Sequence, residues 1–331
     1  DLPLDALRRR ILDGSLSAAI ATSPAGLPAA VDEVLRRATS RRPGDRYPDV
    51  ESFARAFRRA LNGTAAAYQP VALPAVEQAA DVPNPYKGLR AFEESDAAGF
   101  FGREALVRRL LDRLAEDETT PAGRFLAVVG PSGSGKSSVV KAGLLAALRR
   151  GALPGSEGWF ITEMTPGRSP LEELAGALRR GAVDPPADLL EPLRHDARGL
   201  ARVLRRVLPL DGGAPPQLLL VIDQFEELFT LTEDEAARRH FIAALLAALN
   251  EPDGRLRVVA TLRADFYDRP LEVPGLGEIL RDRTAVVLPM SRAELEAAIV
   301  RPAEGDGAAL EPRLPAVMLA DAADQPGSLP L

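Results

Sequence analysis

The chain has 331 residues, 46% of them hydrophobic and 27% charged, and its formal net charge is −6. This composition is typical of a globular protein, and the length suffices for two or three domains. The negative charge offers no general attraction for nucleic acid, so no nucleic-acid partner is predicted. The absence of cysteine excludes disulfides, thiolate zinc sites and cysteine nucleophiles.

The sequence predicts no membrane segment. Arginine, acidic residues or proline interrupt every apolar run before it reaches the roughly 18–20 residues that cross a bilayer. The chain begins at Asp1 without a secretory leader. We therefore expect a cytoplasmic piece of a longer polypeptide.

The first part of the chain is predicted to be helical and then irregular. Residues 1–61 carry helical periodicity, which is clearest over residues 31–40 and 50–61. Residues 62–83 are rich in alanine and proline without any period, and we interpret them as a linker.

The rest of the chain has the pattern of an α/β domain. Apolar runs alternate with amphipathic helices over residues 84–290, which predicts a parallel sheet with helices on both faces, a three-layer α/β/α fold. Five strands are predicted, at residues 124–129, 159–164, 217–222, 256–262 and 284–289. The predicted helices between them include residues 137–150, 169–180 and 235–250. After Pro289 the pattern is helical, and we expect residues 291–331 to begin a lid subdomain.

A phosphate-binding loop (P-loop) is predicted between the first strand and the helix that follows it. The sequence there fits G-x-x-x-x-G-K-[ST] in the strand–loop–helix context that this motif requires. Its residues, together with the next helical residue, are Gly130, Pro131, Ser132, Gly133, Ser134, Gly135, Lys136, Ser137 and Ser138. Glycines allow the backbone N–H groups and the positive end of the helix dipole to approach a polyphosphate. Lys136 is predicted to reach the β- and γ-phosphates, and Ser137 to offer its hydroxyl to Mg²⁺.

Acidic residues after the third predicted strand complete the expected site. Asp223 ends that strand and is predicted to hold Mg²⁺. Glu226 and Glu227 follow it, and we expect one of them to activate the attacking water as a general base. The alternative is that both only begin a helix, whose N-terminus favours acids. Spacing alone does not choose between the two glutamates.

The separation of these motifs indicates the topology of the sheet. Lys136 and Asp223 are 87 positions apart, too far for a single crossover helix, so we expect another strand to lie between their two strands in the sheet. This arrangement is typical of P-loop proteins that carry an extra catalytic glutamate. None of the lysines begins the Lys-x-Asp sequence of a guanine reader, so ATP is the expected nucleotide.

Two arginines are further candidates for the site. Arg263 follows the fourth predicted strand, at the same edge of the sheet as the phosphates. It is expected either to sense the γ-phosphate through charge-assisted hydrogen bonds or to cap the helix that follows. Arg103, in the sequence FFGRE, precedes the P-loop strand and can lie near the nucleotide.

Together these motifs resemble the STAND NTPases, the signal-transduction ATPases with numerous domains, and especially the bacterial subgroup often fused to WD repeats. The matching stretches are NPYKGLRAFEESDAAGFFGRE, VVGPSGSGKSS, LLLVIDQFEELF, VVATLRADFYDRP and the terminal GSLPL. The resemblance implies a sheet related to that of AAA+ ATPases and slow turnover of ATP to ADP. It also implies self-association of the ATP-bound form, through the lid and through downstream repeat or effector domains.

The resemblance assigns roles to single residues as well. Gly102 and Arg103 would lie against the nucleotide, and Arg263 would act as the sensor. Glu226 would be the base, by the Asp-x-x-acid-acid pattern of the family. The lid motif Gly-Leu-Pro-Leu, which packs against the base of the nucleotide, reads Ser-Leu-Pro-Leu here, with Pro330 as the predicted contact.

Residues 1–61 resemble the end of a protein Ser/Thr kinase domain. The stretch GLPAAVDEVLRRATSRRPGDRYPDVESFARAF carries the likeness, and Arg46 matches the arginine that pairs with the activation-segment glutamate of kinases. An unrelated helical pair is the alternative. The likeness implies a parent protein that joins a kinase to a STAND ATPase, although this chain has no His-Arg-Asp or Asp-Phe-Gly sequence of its own.

The leading hypothesis from the sequence is an ATP-hydrolysing switch that binds ATP or ADP with Mg²⁺. One alternative is a regulatory or scaffold part of a Ser/Thr kinase. Another is a nucleotide-binding interaction module without significant turnover, against which the presence of Asp223 and Glu226 argues.

Overall fold

A computed structural model describes residues 29–38, 40, 45–47, 50–62, 84–88, 90–116, 120–181, 186, 188–208, 217–252, 254–308 and 310–323. The chain divides into two compact units, Asp1–Ala79 and Ala80–Leu331. Within the described ranges, no helix is both long and apolar enough to cross a bilayer.

The described part of the first unit is mainly helical, as predicted. Helix α1 (Ala29–Ala38) packs against helix α2 (Val50–Asn62). The buried residues between the two helices are Val31, Val34 and Ala60. Asn62 belongs to α2 rather than to the predicted linker, because the helix runs one residue further than its apolar pattern indicates. The remainder of that linker, residues 63–83, lies outside the described residues.

The second unit is built on a parallel sheet of five strands. The strands are β1 (Phe125–Gly130), β2 (Phe160–Met164), β3 (Leu218–Ile222), β4 (Leu256–Arg263) and β5 (Thr284–Val286). Every strand begins within one residue of its predicted start. Their order across the sheet is β2-β3-β4-β1-β5.

Strand β4 lies between β1 and β3, so the inserted strand that the motif spacing predicts is present. This strand comes later in the chain than both of its neighbours, whereas β2, which lies between them in the sequence, is at one side of the sheet. Gly130 of β1 pairs with Arg263 of β4, and Ile222 of β3 pairs with Ala260. Parallel pairing therefore aligns the carboxyl ends of the three strands at one edge, the usual place for a ligand in such a sheet.

Helices lie on both faces of this sheet, and two further helices follow the last strand. They are α3 (Glu104–Ala115), α4 (Lys136–Ser138, continued by Val139–Leu145 and Ala146–Arg149), α5 (Pro170–Gly181), α6 (Leu190–His195), α7 (Gly199–Val207), α8 (Glu227–Thr230), α9 (Glu235–Leu249), α10 (Asp268–Leu271), α11 (Leu276–Asp282), α12 (Arg292–Gly305) and α13 (Leu314–Ala323). Short 3-10 turns occupy Glu94–Gly99, Ala122–Arg124, Ser156–Gly158 and Ala264–Phe266.

The strands separate two apolar layers. One layer joins the sheet to α5, α6, α7, α9 and α11, and the other joins it to α3 and α4. Side chains alternate between the layers along each strand, so that Ala127 of β1 belongs to the first and Val128 to the second. Both faces must then be apolar, which explains the nearly continuous apolar runs in the sequence. The predicted three-layer α/β/α fold is confirmed.

Strand β5 is shorter than the predicted residues 284–289. The N–H of Val287 still donates to the carbonyl of Val129 at 2.7 Å, but the pairing stops there. The carbonyl of Leu288 accepts a hydrogen bond from the Arg103 side chain at 3.0 Å, and Pro289 has no N–H to donate. The chain then continues into α12 and α13, which pack on each other within the range predicted for the lid.

Candidate functional site

The P-loop follows β1 and leads into α4, as the motif predicts. Gly133 and Gly135 have φ angles of 74° and 82°, in the left-handed region that favours glycine. Gly135 is the residue at which the chain turns into α4. A Cβ at Gly130 would lie 2.8 Å from the Ser134 hydroxyl oxygen, so a larger residue there would force that side chain to move. The glycines thus let the loop close tightly over the start of the helix.

Lys136 is the first residue of α4 and is 9% exposed. Its Nζ donates to the carbonyl oxygens of Gly130 at 3.1 Å and Pro131 at 2.8 Å. Burial lowers the pKa of Lys136, and the charge of Glu226 opposes that shift. A buried lysine held on loop carbonyls provides a positive charge at the carboxyl end of β1.

Ser137 and Asp223 lie in direct contact at the sheet edge. The Ser137 hydroxyl donates to Oδ1 of Asp223 at 2.7 Å. The hydroxyl of Thr261, on β4, donates to the same oxygen at 2.6 Å. The structure thus brings together the two residues that the sequence predicts as Mg²⁺ ligands, and it adds Thr261, which the sequence reasoning missed. The signal for Thr261 was a single hydroxyl in an otherwise apolar stretch near the end of the strand inserted between the two motifs.

The chain after Asp223 turns sharply. Gln224 has a φ of 54° and is, among the described residues, the one non-glycine with a positive φ. Its N–H donates to Oγ1 of Thr261 at 2.9 Å, and the N–H of Phe225 donates to the Thr261 carbonyl at 2.8 Å. These bonds carry the chain from the end of β3 toward the end of β4.

The two adjacent glutamates point to different partners. Glu226 is 6% exposed, and its Oε2 accepts the backbone N–H of Arg263 at 3.2 Å, at the end of β4. Glu227 begins α8, and its Oε2 accepts the N–H of Gly167 at 3.2 Å, in the loop after β2. Burial raises the pKa of Glu227. Glu226 therefore lies toward Lys136, whereas Glu227 holds a loop on the other side of β3.

Arg263 ends β4 at the same edge. Its Nη2 donates to Asp265 at 2.6 Å, and its guanidinium lies 5.3 Å from the centre of the Phe266 ring. This ion pair lowers the pKa of Asp265. Arg263 thus pairs with a side chain of the 3-10 turn that follows it, but its own side chain makes no capping hydrogen bond to that turn. Its positive charge also lowers the pKa of Lys136, so the guanidinium lies within electrostatic reach of the P-loop.

Arg103 and Gly102 join the P-loop to the predicted lid. Arg103 is 4% exposed, and its guanidinium donates to the carbonyls of Leu288 at 3.0 Å and Ser134 at 3.5 Å. Burial lowers the pKa of Arg103. Gly102 has a φ of 85°, and a Cβ there would lie 2.3 Å from the carbonyl oxygen of Glu294 in α12. Arg103 therefore lies beside the P-loop, whereas Gly102 packs against α12.

The segment before Gly102 packs along α4. The N–H of Phe92 donates to the Ser138 hydroxyl at 3.0 Å, and Glu93 pairs with Lys141 at 3.2 Å. Tyr86, further upstream, donates its hydroxyl proton to the carbonyl of Ile299 in α12 at 2.6 Å. The predicted lid contact at Pro330 lies outside the described residues.

The residues of this edge fit a nucleoside triphosphate with Mg²⁺. A tight glycine loop at the start of a helix, with a buried lysine, is suited to phosphates. A hydroxyl and a carboxylate in contact are oxygen ligands of the kind that Mg²⁺ prefers. The hydroxyl of Ser134 is buried and has no hydrogen-bond partner, so the loop retains an unused polar group beside Gly130.

The comparison with protein families decides the assignment. A family model described as Novel STAND NTPase 1 matches residues 85–331, most of the chain and all of the elements above from β1 to α13. The chain belongs to this STAND NTPase family. The matched range contains the P-loop, Asp223 and Glu226.

Two further comparisons complete the findings. No curated protein matches the chain. Among solved structures, it is similar to the ORC2 protein of Aeropyrum pernix, solved as ADPNP–ADP complexes, at 17% sequence identity and a TM-score of 0.40. That match covers 61% of this chain and 50% of the ORC2 chain, so the chain spans half the length of that relative.

Proposed function

We propose that this STAND NTPase module binds ATP with Mg²⁺ and hydrolyses it slowly to ADP, as a switch within a larger regulatory protein. The observation that carries the proposal is the meeting of the two motifs, with the Ser137 hydroxyl 2.7 Å from the Asp223 carboxylate. Glu226 lies at the neighbouring strand end, where it accepts the N–H of Arg263. Phosphate, metal and water-activating groups then share one edge of the sheet.

Each residue would have a defined task in this reaction. Lys136 would exchange its two loop carbonyls for the β- and γ-phosphates, since a charged partner attracts a buried ammonium more strongly than a carbonyl does. Ser137 and Asp223 would hold Mg²⁺, which would neutralise phosphate charge when bound. Glu226 would orient and deprotonate the attacking water. Arg263 would stabilise charge at the γ-phosphate after leaving Asp265.

Slow turnover is consistent with the positions of these groups. The carboxylate of Glu226 is buried and already accepts a backbone hydrogen bond, and the guanidinium of Arg263 is paired with Asp265. Both groups would have to change partners before they act. The same observation supports the second candidate, a module that binds nucleotide and does not hydrolyse it.

The contacts of Arg103 support a switch in particular. Its guanidinium bonds to the P-loop carbonyl of Ser134 and to the Leu288 carbonyl just before α12. A change in the loop on phosphate binding would therefore alter a bond at the base of the predicted lid. We propose that this coupling favours self-association in the ATP state, through the lid and through downstream repeat or effector domains.

Residues 1–61 are proposed to be the end of a Ser/Thr kinase domain in the same parent protein. Arg46 donates its Nε to the carbonyl of Ser40 at 2.8 Å, and the Arg37 guanidinium lies 4.5 Å from the centre of the Tyr47 ring. These contacts stabilise the connection between α1 and α2, and they are compatible with either interpretation of this unit. The parent's kinase activity and its WD repeats belong to the same proposal.

The proposal is tested on the chain as it stands. Calorimetry should show Mg²⁺-dependent binding of ATP and ADP and weaker binding of GTP, and a phosphate-release assay should show slow hydrolysis of ATP. Light scattering should show larger particles with ATP than with ADP. Absence of nucleotide binding by the folded protein would overturn the function. Binding without any phosphate release, also at high protein concentration, would favour the binding-module candidate.

A further inference from the structure

Thr261 is a buried hydroxyl within an apolar strand. It lies on β4 next to Leu262, is 1% exposed, and pairs in register with Val128 of β1. Its side chain lies on the same side of the strand as that of Val259, which belongs to the apolar layer over α3 and α4. A hydroxyl in such a layer is stable only when its hydrogen-bonding capacity is used.

The donor and acceptor roles of this hydroxyl follow from its neighbours. The N–H of Gln224 can only donate, so Oγ1 of Thr261 accepts it at 2.9 Å. The single hydroxyl proton is then directed to Oδ1 of Asp223 at 2.6 Å. One group therefore orients the carboxylate and also satisfies the backbone of the next residue.

That backbone is the left-handed turn at Gln224, whose φ of 54° is unfavourable for a residue with a side chain. A second bond, from the N–H of Phe225 to the Thr261 carbonyl at 2.8 Å, fixes the turn to β4. The turn leads to Glu226, whose carboxylate accepts the N–H of Arg263 two residues beyond Thr261. The position of Glu226 thus depends on the same short piece of β4.

We propose that Thr261 is a positioning residue that aims Asp223 at Mg²⁺ and holds the Gln224 turn that presents Glu226. This inference rests on the proposed nucleotide-binding function, which it deepens. Loss of the hydroxyl would free the carboxylate to rotate and would leave the Gln224 N–H without its partner. Both effects follow from the hydroxyl itself rather than from the volume of the side chain.

Two variants distinguish the effect of the Thr261 hydroxyl from the effect of the side chain's shape on the fold. Thr261→Val keeps the shape of the side chain and removes the hydroxyl, whereas Thr261→Ser keeps the hydroxyl. Thr162→Val is the matched control, because Thr162 is also a buried threonine of the sheet, on β2, and donates to the carbonyl of Ala177 at 2.7 Å. Removing that hydroxyl tests for general destabilisation.

The first measurement uses the chain without nucleotide. Amide hydrogen exchange of Gln224 should become roughly tenfold faster in Thr261→Val, the effect expected when a hydrogen-bond partner is removed. Thr261→Ser and Thr162→Val should exchange at the wild-type rate at this residue. Wild-type exchange in Thr261→Val would overturn the proposed control of the turn.

The second measurement compares the affinity for a non-hydrolysable ATP analogue with Mg²⁺ and with EDTA. Thr261→Val should lose about tenfold of the affinity gained from Mg²⁺, as is typical when a partner of a metal ligand is removed, and should bind as the wild type does in EDTA. Thr261→Ser should retain the gain. The proposed positioning of Asp223 would be overturned if Mg²⁺ raised the affinity of Thr261→Val as much as that of the wild type. It would also be overturned if Thr162→Val lost as much of this Mg²⁺ effect as Thr261→Val. Failure of the wild type to bind the analogue would overturn the proposed function, and the exchange rates would still decide whether Thr261 holds the turn.

Discussion

The hydroxyl of Ser137 lies 2.7 Å from the carboxylate of Asp223, although the two residues are 86 positions apart in the chain. The contact joins the start of α4 to the end of β3 across the inserted strand β4. A carboxylate only accepts hydrogen bonds, so the serine proton points at Asp223. These two oxygens would hold Mg²⁺, and the affinity for Mg²⁺ should then depend on both residues.

Replacing Asp223 by asparagine should weaken the binding of Mg-ATP by at least about tenfold and leave binding in EDTA unchanged. The asparagine oxygen can still accept from Ser137 and Thr261, so the fold should persist, while the negative charge that attracts Mg²⁺ is lost. Calorimetric titrations with and without EDTA measure the difference. If the affinity for ATP fell equally with Mg²⁺ and with EDTA, Asp223 would support the fold and would not be a ligand of Mg²⁺.

Lys136→Ala should lower the affinity for Mg-ATP by at least about tenfold, because the phosphates lose a buried ammonium. The fold should survive, because removing this donor from the loop carbonyls of Gly130 and Pro131 costs about 1–3 kcal/mol, less than the stability of a typical domain. Lys141→Met is the control, because Lys141 lies on the same helix and pairs with Glu93 and Glu163. If both variants bind ATP as the wild type does, the P-loop assignment is wrong.

Glu226→Gln should reduce the rate of ATP hydrolysis by a factor of about 10²–10⁴, because proton transfer from water is no longer assisted. Affinity for ATP should stay equal or rise, since an anion close to the γ-phosphate is removed. Glu227→Gln should have a mild effect, because Glu227 contacts the Gly167 loop and not the end of β4. Phosphate-release assays on the two variants compare the residues directly. Loss of turnover in Glu227→Gln alone would move the base by one residue.

The stability of the chain should depend on pH through Glu227. Burial raises the pKa of this carboxyl above its usual 4.5, although the N–H of Gly167 opposes the shift. The protonated form is therefore favoured by the fold, and the stability that it contributes is lost as the pH rises from about 4.5 through the raised pKa. Glu227→Gln is neutral and can still accept from Gly167, so its free energy of unfolding should exceed that of the wild type at pH 7.

Urea unfolding between pH 4 and pH 8 tests this dependence, with the fluorescence of Trp159, the single tryptophan of the sequence, as the signal. The difference in free energy of unfolding between Glu227→Gln and the wild type should shrink toward zero as the pH falls below about 4.5. Glu191→Gln, at an exposed position on α6, should show no such trend. If the variant were more stable than the wild type by the same amount at every pH, burial of the Glu227 charge would not be the cause of the difference.

Arg103→Met should destabilise the fold by about 1–3 kcal/mol, the cost of leaving buried hydrogen-bond acceptors unsatisfied. The carbonyls of Ser134 and Leu288 would lose their shared donor. Affinity for ATP should fall to a similar extent with Mg²⁺ and with EDTA, because the loop and not the metal is affected. Arg108→Met, an exposed change on α3, is the control for stability and binding. If Arg103→Met were destabilised but bound ATP with unchanged affinity, Arg103 would contribute to the fold and not to nucleotide binding.

The sequence alone determined the class of fold and the phosphate site. Apolar strands alternating with amphipathic helices specify a parallel sheet, because each strand must be covered on both faces. The P-loop can be recognised from the sequence because its glycines, lysine and serine lie within eight consecutive positions. The chemical role of each follows from its position in the motif. The spacing of Lys136 and Asp223 also indicated an inserted strand, which the observed order confirms.

Only the tertiary structure decided which groups meet at the sheet edge. The spacing of Glu226 and Glu227 does not distinguish them, whereas in the structure one contacts the end of β4 and the other the loop after β2. Thr261 and the backbone contacts of Arg103 were not predicted, because they depend on strand register and on where carbonyl groups lie after packing. Hydrogen bonds between distant parts of a chain leave no periodic pattern in the sequence. Their partners are set by the parallel register that aligns the ends of β1, β3 and β4.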